Sequence, residues 1–488
     1  RVSVSDTSSC STMVLQRVSK QRHGSVPMRL KRALGLPNCE PEQVGLDSEA
    51  FNKHTSAIRR QIEKGWSYGN AECVLKGNKL IYADTSGYQD VELKIPMSEK
   101  SLFRCFSMTK PVTAFGLLAL WEEGKLSLDD PVAKYIPEFG QMKVFKDPTF
   151  AKPGPRGGGL VDAKRQITLR HLLTHTSGLA YGISRTDRSE EYKPTHKPIG
   201  QQYMDFVKMV ESGVIPNLRV YCQELAKQPL RFQPGEAWEY SYGMDVIGRV
   251  LEVVSGLPLD LFLKRRVLKP IGMRDTNFFI SPQKARKQLA ALYEVKKPFH
   301  RIRFDGRRPE KSSWVKGMNA RIFAGGGVVA TCDGGLVSSM RDQAIFANTI
   351  ANLGYSIASK RQVLKPSTVK TGCTDWLRLP SVTTHFPLKG WHDDSDSLKR
   401  GWAPFGITED DCIYMGGMGY WSVNRRDKTV IVSFPSTMWD EKKYRYWNDE
   451  VDDIDGVMKK SEQSFIAKTK AAEDKAAIAA KKRKLSLQ

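Results

Sequence analysis

Residues 102–139 read LFRCFSMTKPVTAFGLLALWEEGKLSLDDPVAKYIPEF. Within them, Ser107-x-x-Lys110 stands directly before a long apolar run. The pattern predicts a buried helix over residues 107–123 that ends at Gly124. Pro111 is compatible with this helix because proline is tolerated in a first turn. The sequence therefore places a serine and a lysine at the start of one buried helix.

The spacing of Ser107 and Lys110 has a chemical meaning, since residues three apart lie on one face of a helix. A serine hydroxyl becomes a useful nucleophile when a neighbouring base removes its proton. A lysine in a partly desolvated pocket can contribute to that transfer. The start of a helix also supplies backbone N–H groups that stabilise developing negative charge. The pair therefore predicts a serine acyl-transfer site.

The quoted stretch resembles the nucleophile segment of the serine β-lactamase-like family, which includes class C β-lactamases, D,D-peptidases, esterases and acyltransferases. The resemblance continues at TLRHLLTHTSGL (168–179) and at FQPGEAWEYSYGMDVIGRVLEVVSGLPLDLFLKRRVLKPIGMRDTNF (232–278). It implies an α/β fold of the α+β type, in which an antiparallel sheet is flanked by helices and an all-helical lobe is inserted.

The resemblance also implies three parts along the chain. We expect a basic N-terminal extension over 1–43, a β-lactamase-like domain over 44–438, and a C-terminal helix with a basic tail over 439–488. Within the domain, we expect the sheet lobe over about 44–130 and 270–438, and the helical lobe over about 131–269.

The second motif of this family is Tyr-x-Asn, or Tyr-x-x in its esterases, and Tyr240-Ser241-Tyr242 occupies that position. The resemblance implies that Tyr240 is a general base whose phenolate is stabilised by Lys110. The alternative is a core tyrosine with a satisfied hydroxyl. Tyr242 is a candidate substrate contact by its place in the motif, but it cannot supply the amide of the missing asparagine. This difference favours esters or thioesters over β-lactams and peptide amides.

The third motif is Lys-Thr-Gly in the β-lactamases, and a literal Lys370-Thr371-Gly372 occurs in LKPSTVKTGCTDWL. We predict a helix and loop there, outside the site. The functional position, on an edge strand shortly before the last strand, falls at Met415-Gly416-Gly417-Met418 and resembles the Trp-Gly-Gly variant of the esterases and acyltransferases. The resemblance implies an oxyanion hole formed by the backbone N–H groups of Met418 and Ser107. A strand bulge without a function is the alternative.

Two further patterns are candidates for a role in or near the site. The segment DGGLVSSMRD (333–342) matches a stretch of the family and is predicted to pack near the site. His171 and His175 are four residues apart, as in a metal pair, but no glutamate lies between them as in His-Glu-x-x-His. The resemblance assigns both histidines to the fold. We expect no cofactor and no metal.

The chain has 76 Lys and Arg against 53 Asp and Glu, a net charge of +23. Residues 1–36 contain seven basic residues and one acid, and residues 456–488 contain nine basic residues and three acids. Two interpretations stay open, attraction to an anionic partner or a large assembly, and solvated tails. Because the tails lack interleaved aromatic residues, they give no specific nucleic-acid signal.

Eight cysteines occur singly and form no Cys-x-x-Cys pair, which favours a reducing compartment. No apolar run approaches the roughly 20 residues that a membrane span needs. The chain begins with Arg, and residues 1–36 are rich in Ser, Arg and Lys, as in an organelle transit segment or a basic arm. We expect an intracellular protein, of the mitochondrion or plastid.

Residue patterns elsewhere predict further helices and strands. They are a helix over 47–64 with Asp47 as N-cap, a hairpin around Gly77-Asn78, a helix over 201–227, two strands over 412–424 and 429–436, and a helix over about 440–484.

The leading hypothesis is a serine hydrolase or acyltransferase that acts on small ester or thioester substrates through an acyl-enzyme on Ser107. The alternative is a catalytically reduced fold that serves as a structural or interaction subunit of an organellar assembly, with the basic tails as contacts. A true β-lactamase or D,D-peptidase is the third hypothesis.

Overall fold

The computed structural model describes residues 37–146, 159–180, 205–206, 209–210, 214–278, 280–297, 300–303, 335–377, 400–417, 419–438 and 454–485. Its helices are α1 Ser48–Glu63, α2 Thr109–Glu122, α3 Leu169–Leu173, α4 Leu218–Ala226, α5 Gly243–Ser255, α6 Leu259–Leu263, α7 Lys269–Ile271, α8 Pro282–Gln288, α9 Met340–Ala351, α10 Pro366–Gly372 and α11 Ile454–Leu485.

The strands follow the same order along the chain. They are β1 Gly69–Lys76, β2 Lys79–Asp90, β3 Ile95–Pro96, β4 Leu102–Arg104, β5 Lys143–Phe145, β6 Leu160–Asp162, β7 Tyr293–Lys297, β8 His300–Arg303, β9 Val337–Ser339, β10 Tyr355–Ser356, β11 Arg361–Gln362, β12 Arg400–Ala403, β13 Gly406–Glu409, β14 Cys412–Gly416, β15 Tyr420–Asn424, β16 Thr429–Pro435 and β17 Thr437–Met438.

The chain divides into two compact units. Unit 1 contains the described residues within 1–99, 291–304 and 433–488, and unit 2 contains those within 100–290 and 305–432. In unit 1, β1 and β2 form an antiparallel hairpin. Its turn residues Gly77 and Asn78 have φ of 55° and 67°, the left-handed backbone that tight hairpin turns require. The predicted hairpin is confirmed.

Helix α1 in unit 1 begins as predicted, with the Asp47 carboxylate accepting from the Glu49 N–H at 3.0 Å. The same residue also contacts α11. The Asp47 N–H donates to Ser461 Oγ at 2.7 Å, and Lys468 Nζ lies 2.8 Å from the Asp47 carboxylate. The hydrogen bond from Lys468 lowers the pKa of Asp47 to about 2. Of the helix predicted over 440–484, residues 454–484 are helical and residues 440–453 lie outside the described part.

Helix α2 runs through the centre of unit 2, and every residue from Thr109 to Leu120 is buried. A helix that is apolar on all sides requires packing partners all round. The ring of Phe115 lies 5.9 Å from that of Phe346 on α9 and 5.8 Å from that of Phe405, measured between centroids. The predicted buried helix is therefore present, although it begins at Thr109 and Ser107 lies in the 3-10 turn Phe106–Met108 that precedes it.

The prediction of one continuous strand over 412–424 is wrong. Strands β14 and β15 are separated by a turn and pair with each other, with Gly416 opposite Tyr420. The turn closes where the Gly417 N–H donates to the Gly419 carbonyl at 2.7 Å. Glycine permits such a turn inside a run of strand-forming residues.

The predicted edge position of this strand is also wrong. Strand β14 pairs with β15 on one side and with β13 on the other. Strands β12 and β13 were not among the predicted elements, and β13 supplies this extra pairing. Pairing to β13 ends at Tyr414, opposite Ile407, so Met415 and Gly416 extend beyond it.

The continuous helix predicted over 201–227 is interrupted. Residues 214–217 are not helical, and α4 begins only after Asn217, whose side chain accepts from the Val220 N–H at 3.0 Å. The local sequence Gly213-Val214-Ile215-Pro216-Asn217 explains the break, because the residue before a proline avoids the helical region and asparagine is a strong N-cap.

The protein is of the mixed α/β class, with a large antiparallel sheet and flanking helices, and this confirms the predicted fold class. Between β6 and α8 the described chain contains only helices, α3 to α7. The predicted part boundaries at residues 43 and 438 stay predictions. No helix in the described ranges has both the length and the apolar character to span a bilayer.

Candidate active site

Ser107 lies in a sharp turn between β4 and α2. Phe106, directly before it, has φ of +46°, a left-handed backbone that non-glycine residues rarely adopt. Such strained positions concentrate at functional sites, where the surrounding structure holds them. The turn leaves Ser107 half-buried, while Met108 and the residues after it enter the core.

The structure brings Ser107, Lys110 and Tyr240 together. The Oγ atom of Ser107 lies 2.6 Å from the Tyr240 hydroxyl oxygen. Lys110 Nζ donates to the same Oγ at 3.1 Å. Both distances are within hydrogen-bond range. Tyr240 comes from the irregular segment before α5, 133 residues away in sequence. The three residues therefore form one connected hydrogen-bonded group.

Lys110 and Tyr240 have little contact with solvent. Lys110 is only 2% exposed and Tyr240 only 8%. Lys110 Nζ also lies 4.7 Å from the centroid of the Tyr240 ring, in cation–π range. Because electrostatic interactions strengthen as water is excluded, the ammonium group favours negative charge on the oxygens beside it. The arrangement can therefore stabilise an alkoxide or phenolate at the turn.

Aromatic side chains enclose Tyr240 in a way that the sequence did not reveal. The ring of His175 lies 4.6 Å from that of Tyr240, and the ring of Trp402 lies 5.9 Å from it. Trp402 is fixed by a hydrogen bond from its Nε1 to the Leu173 carbonyl at 3.0 Å. Trp238 packs against Trp402 at 5.8 Å. No local pattern marks Trp402, because it lies 162 positions after Tyr240 in the sequence.

The two histidines considered as a metal pair have separate roles in the structure. His171 Nδ1 accepts from the Thr168 N–H at 3.2 Å and so caps α3. Burial, with the nearby Arg165 and Arg170, lowers the pKa of His171 to about 4. Burial, with the Lys110 charge, holds the pKa of His175 well below its usual value. Over the described ranges no cluster of His, Cys, Asp or Glu could hold a metal.

The glycine pair at the end of β14 lies against the nucleophile turn through one of its members. A Cβ atom on Gly417 would lie 2.2 Å from the Cys105 carbonyl oxygen, which only glycine avoids. A Cβ atom on Gly416 would meet nothing within 4 Å. The Gly417 N–H is already bonded to Gly419, and Met418, the predicted oxyanion donor, lies outside the described residues.

Because only Gly417 lies against backbone, we expect alanine substitutions at Gly416 and Gly417 to change the free energy of unfolding by different amounts. Gly417→Ala is expected to lower the free energy of unfolding by roughly 1–3 kcal/mol, because a methyl group is forced against backbone. Gly416→Ala is expected to change it by less than about 0.5 kcal/mol. Urea unfolding of the two variants and the parent protein measures the difference. Equal effects at both positions would contradict the close approach of Gly417 to Cys105.

Within the described residues, the side-chain hydrogen bonds of Ser107 are to Tyr240 and Lys110, and not to Tyr242. Tyr242 is completely buried, and its ring packs edge-on against Phe206 at 5.9 Å and Tyr221 at 6.2 Å. Tyr242 lies directly before α5, and its side chain packs among the helices. The structure therefore places Tyr242 in the core, although the sequence made it a candidate substrate contact.

The remaining two segments lie where the sequence indicated. The Leu336 N–H donates to Thr109 Oγ1 at 2.8 Å, and the Cys105 N–H donates to the Leu336 carbonyl at 2.8 Å, so the described part of DGGLVSSMRD packs beside the nucleophile turn. Residues 370–372 form the end of α10, with Lys370 exposed and Gly372 against the Phe405 ring. The literal Lys-Thr-Gly is thus helical, as predicted.

Comparisons with known proteins identify the family of this chain. The Beta-lactamase family model matches residues 55–453. Protein Rv1367c of Mycobacterium tuberculosis is 33% identical over 326 residues, 66% of this chain and 71% of that protein. Esterase EstB of Burkholderia gladioli is 33% identical over 241 residues, 49% of this chain and 54% of that protein. The solved structure of EstCE1, a hydrolase with promiscuous acyltransferase activity, shares the fold, with a TM-score of 0.61 at 21% identity over 83% of this chain and 99% of that one.

With a family model over most of its length and a relative of one-third identity, this chain belongs to the beta-lactamase family.

Proposed function

We propose that the protein is a serine hydrolase or acyltransferase that acts on ester-like substrates through an acyl-enzyme on Ser107. The observation that carries this proposal is the pair of contacts on one oxygen atom. Ser107 Oγ lies 2.6 Å from the Tyr240 hydroxyl and 3.1 Å from Lys110 Nζ. A nucleophile within hydrogen-bond reach of a base, which a third group supports, is the general signature of covalent catalysis.

The proposed reaction begins with Tyr240 as a phenolate whose charge is balanced by Lys110. Ser107 Oγ attacks the carbonyl carbon of the ester, and its proton passes to the Tyr240 oxygen. The carbonyl oxygen takes up the negative charge, which backbone N–H groups of Ser107 and Met418 stabilise. The bond to the leaving alcohol then breaks, and the alcohol oxygen takes the proton from Tyr240. An acyl ester on Ser107 remains.

The second half of the reaction repeats these steps in reverse. Tyr240 removes a proton from water or from an acceptor alcohol, whose oxygen attacks the acyl carbon. Collapse of the intermediate breaks the bond to Ser107 Oγ, and Tyr240 returns the proton to that oxygen. Water gives hydrolysis and an alcohol gives acyl transfer, so one site supports both activities.

Esters or thioesters are the favoured substrates because the second motif lacks its asparagine. Tyr242 occupies that position and is buried among aromatic rings, where it supplies no amide to a substrate. The relatives support this direction, since EstB is an esterase and EstCE1 a hydrolase with acyltransferase activity. The amide group that the family's asparagine would offer to a β-lactam or peptide amide is therefore missing at position 242.

The test compares a p-nitrophenyl ester of a short-chain acid with the β-lactam nitrocefin. We expect kcat/KM for the ester to exceed that for nitrocefin by at least about a hundredfold, as for a site that lacks one substrate hydrogen bond. Product analysis with and without added alcohol separates hydrolysis from acyl transfer. Preferred turnover of nitrocefin would revive the β-lactamase hypothesis and overturn this proposal.

The alternative function, a structural subunit of an organellar assembly, receives no support from the relatives. Lys110 is buried and lies 3.1 Å from the Ser107 oxygen. Burying a lysine costs several kcal/mol in real proteins, and this cost at the nucleophile turn favours a catalytic use over a purely structural one. Assembly through the basic tails and organellar targeting stay predictions.

A further inference from the structure

The segment that carries Tyr240 is irregular, since residues 237–241 belong to no helix or strand. Its backbone lacks the regular hydrogen bonds that fix residues in a helix or a sheet. Instead, the two N–H groups on either side of Tyr240 bond to one residue. The Glu239 N–H donates to the His175 carbonyl at 2.9 Å, and the Ser241 N–H donates to His175 Nδ1 at 3.2 Å. His175 therefore holds Tyr240 from both sides through the backbone.

These contacts decide the protonation state of the His175 ring. A backbone N–H can only donate, so the Nδ1 atom that it approaches must accept and carries no proton. In the neutral ring the proton then lies on Nε2, and the Ser241 hydroxyl, 3.2 Å from Nδ1, donates to the same bare nitrogen. The ring is neutral because it is completely buried and close to the Lys110 charge, both of which lower the pKa of His175. One tautomer of His175 is thus selected by its bond to Ser241.

His175 reaches both N–H groups through an unusual backbone conformation. Its φ is +56°, a left-handed value that costs about 1 kcal/mol or more in a residue other than glycine. The residue follows the end of α3, and its carbonyl and its ring both face the segment 239–241. The ring also packs against the Tyr240 ring, with centroids 4.6 Å apart and planes inclined by 37°. The same residue therefore contacts the Tyr240 ring and bonds to the backbone on both sides of Tyr240.

We infer that His175 is a positioning residue, which fixes the Tyr240 oxygen at its 2.6 Å distance from Ser107 Oγ through the two backbone bonds. This inference rests on the proposed function, because it gives Tyr240 the role of base. His175 itself transfers no proton in the reaction. Its loss acts by displacing Tyr240, and a displacement of about 1 Å at a reacting group costs on the order of a hundredfold in rate.

Two substitutions of His175 distinguish the effect of its Nδ1 hydrogen bond from the effect of the rest of the side chain. In His175→Asn, the side-chain oxygen lies about where Nδ1 was, and asparagine tolerates a left-handed backbone. In His175→Gln, the oxygen lies one carbon further out and cannot meet the Ser241 N–H in the same place. We expect His175→Gln to lower kcat on a p-nitrophenyl ester about 30- to 100-fold with KM within about threefold, since only orientation is lost. We expect His175→Asn to recover most of this loss, to within about tenfold of the parent.

His171→Gln is the matched control. His171 Nδ1 also accepts a backbone N–H at 3.2 Å, but that of Thr168 rather than Ser241. The control is expected to lower the melting temperature without lowering kcat more than about threefold, because the hydrogen bond that it removes caps α3 and does not reach the Tyr240 segment. A His175→Gln variant that is folded and has parental kcat would overturn the inference. Equal losses in the Asn and Gln variants would also overturn it, because the ring and not the Nδ1 bond would then matter.

A measurement on the unsubstituted protein keeps the inference testable if a variant fails to fold or the protein shows no esterase activity. Selective ¹⁵N labelling of histidine distinguishes the two ring nitrogens by NMR. We expect the His175 signal to show a bare Nδ1 and a protonated Nε2 between about pH 6 and 8, where an ordinary histidine titrates. A protonated Nδ1 would overturn the inference. Absence of ester turnover together with the expected NMR signal would instead reject the proposed function and leave the bonds to residues 239 and 241 established.

Discussion

Ser107→Ala is expected to lower kcat/KM for ester hydrolysis by at least about a thousandfold, to the level of residual binding and oxyanion stabilisation. The reason is that Ser107 Oγ is the atom on which both the Tyr240 and the Lys110 contacts converge. Removing it removes the nucleophile and leaves the surrounding residues in place. Initial rates on a p-nitrophenyl ester measure the effect.

The control for this variant is its melting temperature. A loss of activity could also come from unfolding, because Ser107 is half-buried and lies in a strained turn. Alanine fits the space of serine, so the melting temperature is expected to stay within a few degrees of the parent, corresponding to less than about 1 kcal/mol. A stable Ser107→Ala protein that keeps more than about a tenth of the ester turnover would contradict Ser107 as the nucleophile.

Tyr240→Phe is expected to lower kcat by about 10²- to 10⁴-fold, the usual contribution of a positioned acid or base. The substitution removes the oxygen that lies 2.6 Å from Ser107 Oγ and keeps the ring that packs against His175. Lys110 remains 3.1 Å from the serine oxygen and accounts for the residual rate. The measurement is kcat on the same ester over a range of concentrations.

The sequence offers a matched control two residues away. Tyr242→Phe removes a hydroxyl from a ring that packs against Phe206 and Tyr221. It is expected to change kcat less than about tenfold, because a core hydroxyl contributes mainly to stability, by roughly 1 kcal/mol. If Tyr242→Phe lost as much activity as Tyr240→Phe, the assignment of the base to Tyr240 would be wrong.

Local patterns were sufficient to predict the parts of the site that are close in sequence. Ser107 and Lys110 lie in one turn and the next helix, so their spacing alone brings them together. The hairpin at Gly77-Asn78 and the N-cap at Asp47 depend on residues within a few positions, and both were predicted correctly. The family resemblance supplied Tyr240, which no local rule could connect to Ser107.

The rest of the site depends on contacts between distant segments. Trp402 reaches Tyr240 because β12 and β13 add to the sheet, and these short strands carried no clear alternation in the sequence. The need for glycine at 417 arises from the Cys105 carbonyl, more than 300 positions earlier. His175 had a recognisable place in the motif THTSGL, but its bonds to residues 239 and 241 appear only in the folded chain.

The strand boundary was wrong for a different reason, because the sequence did contain the signal. Residues 412–424 include Gly416, Gly417 and Gly419, which strands disfavour and hairpin turns prefer. We had interpreted these glycines as a close approach of one strand to the substrate, whereas the hydrogen bond from the Gly417 N–H to the Gly419 carbonyl closes a turn between two strands.

The acyl-enzyme on Ser107 is tested most directly by the mass of the protein after brief reaction with a fluorophosphonate or a slowly released ester. We expect one added acyl or phosphonyl group per chain, which peptide mapping places on Ser107, and no addition to the Ser107→Ala variant. Addition to any other residue, or no addition to the folded parent protein, would contradict a serine acyl-enzyme at this site.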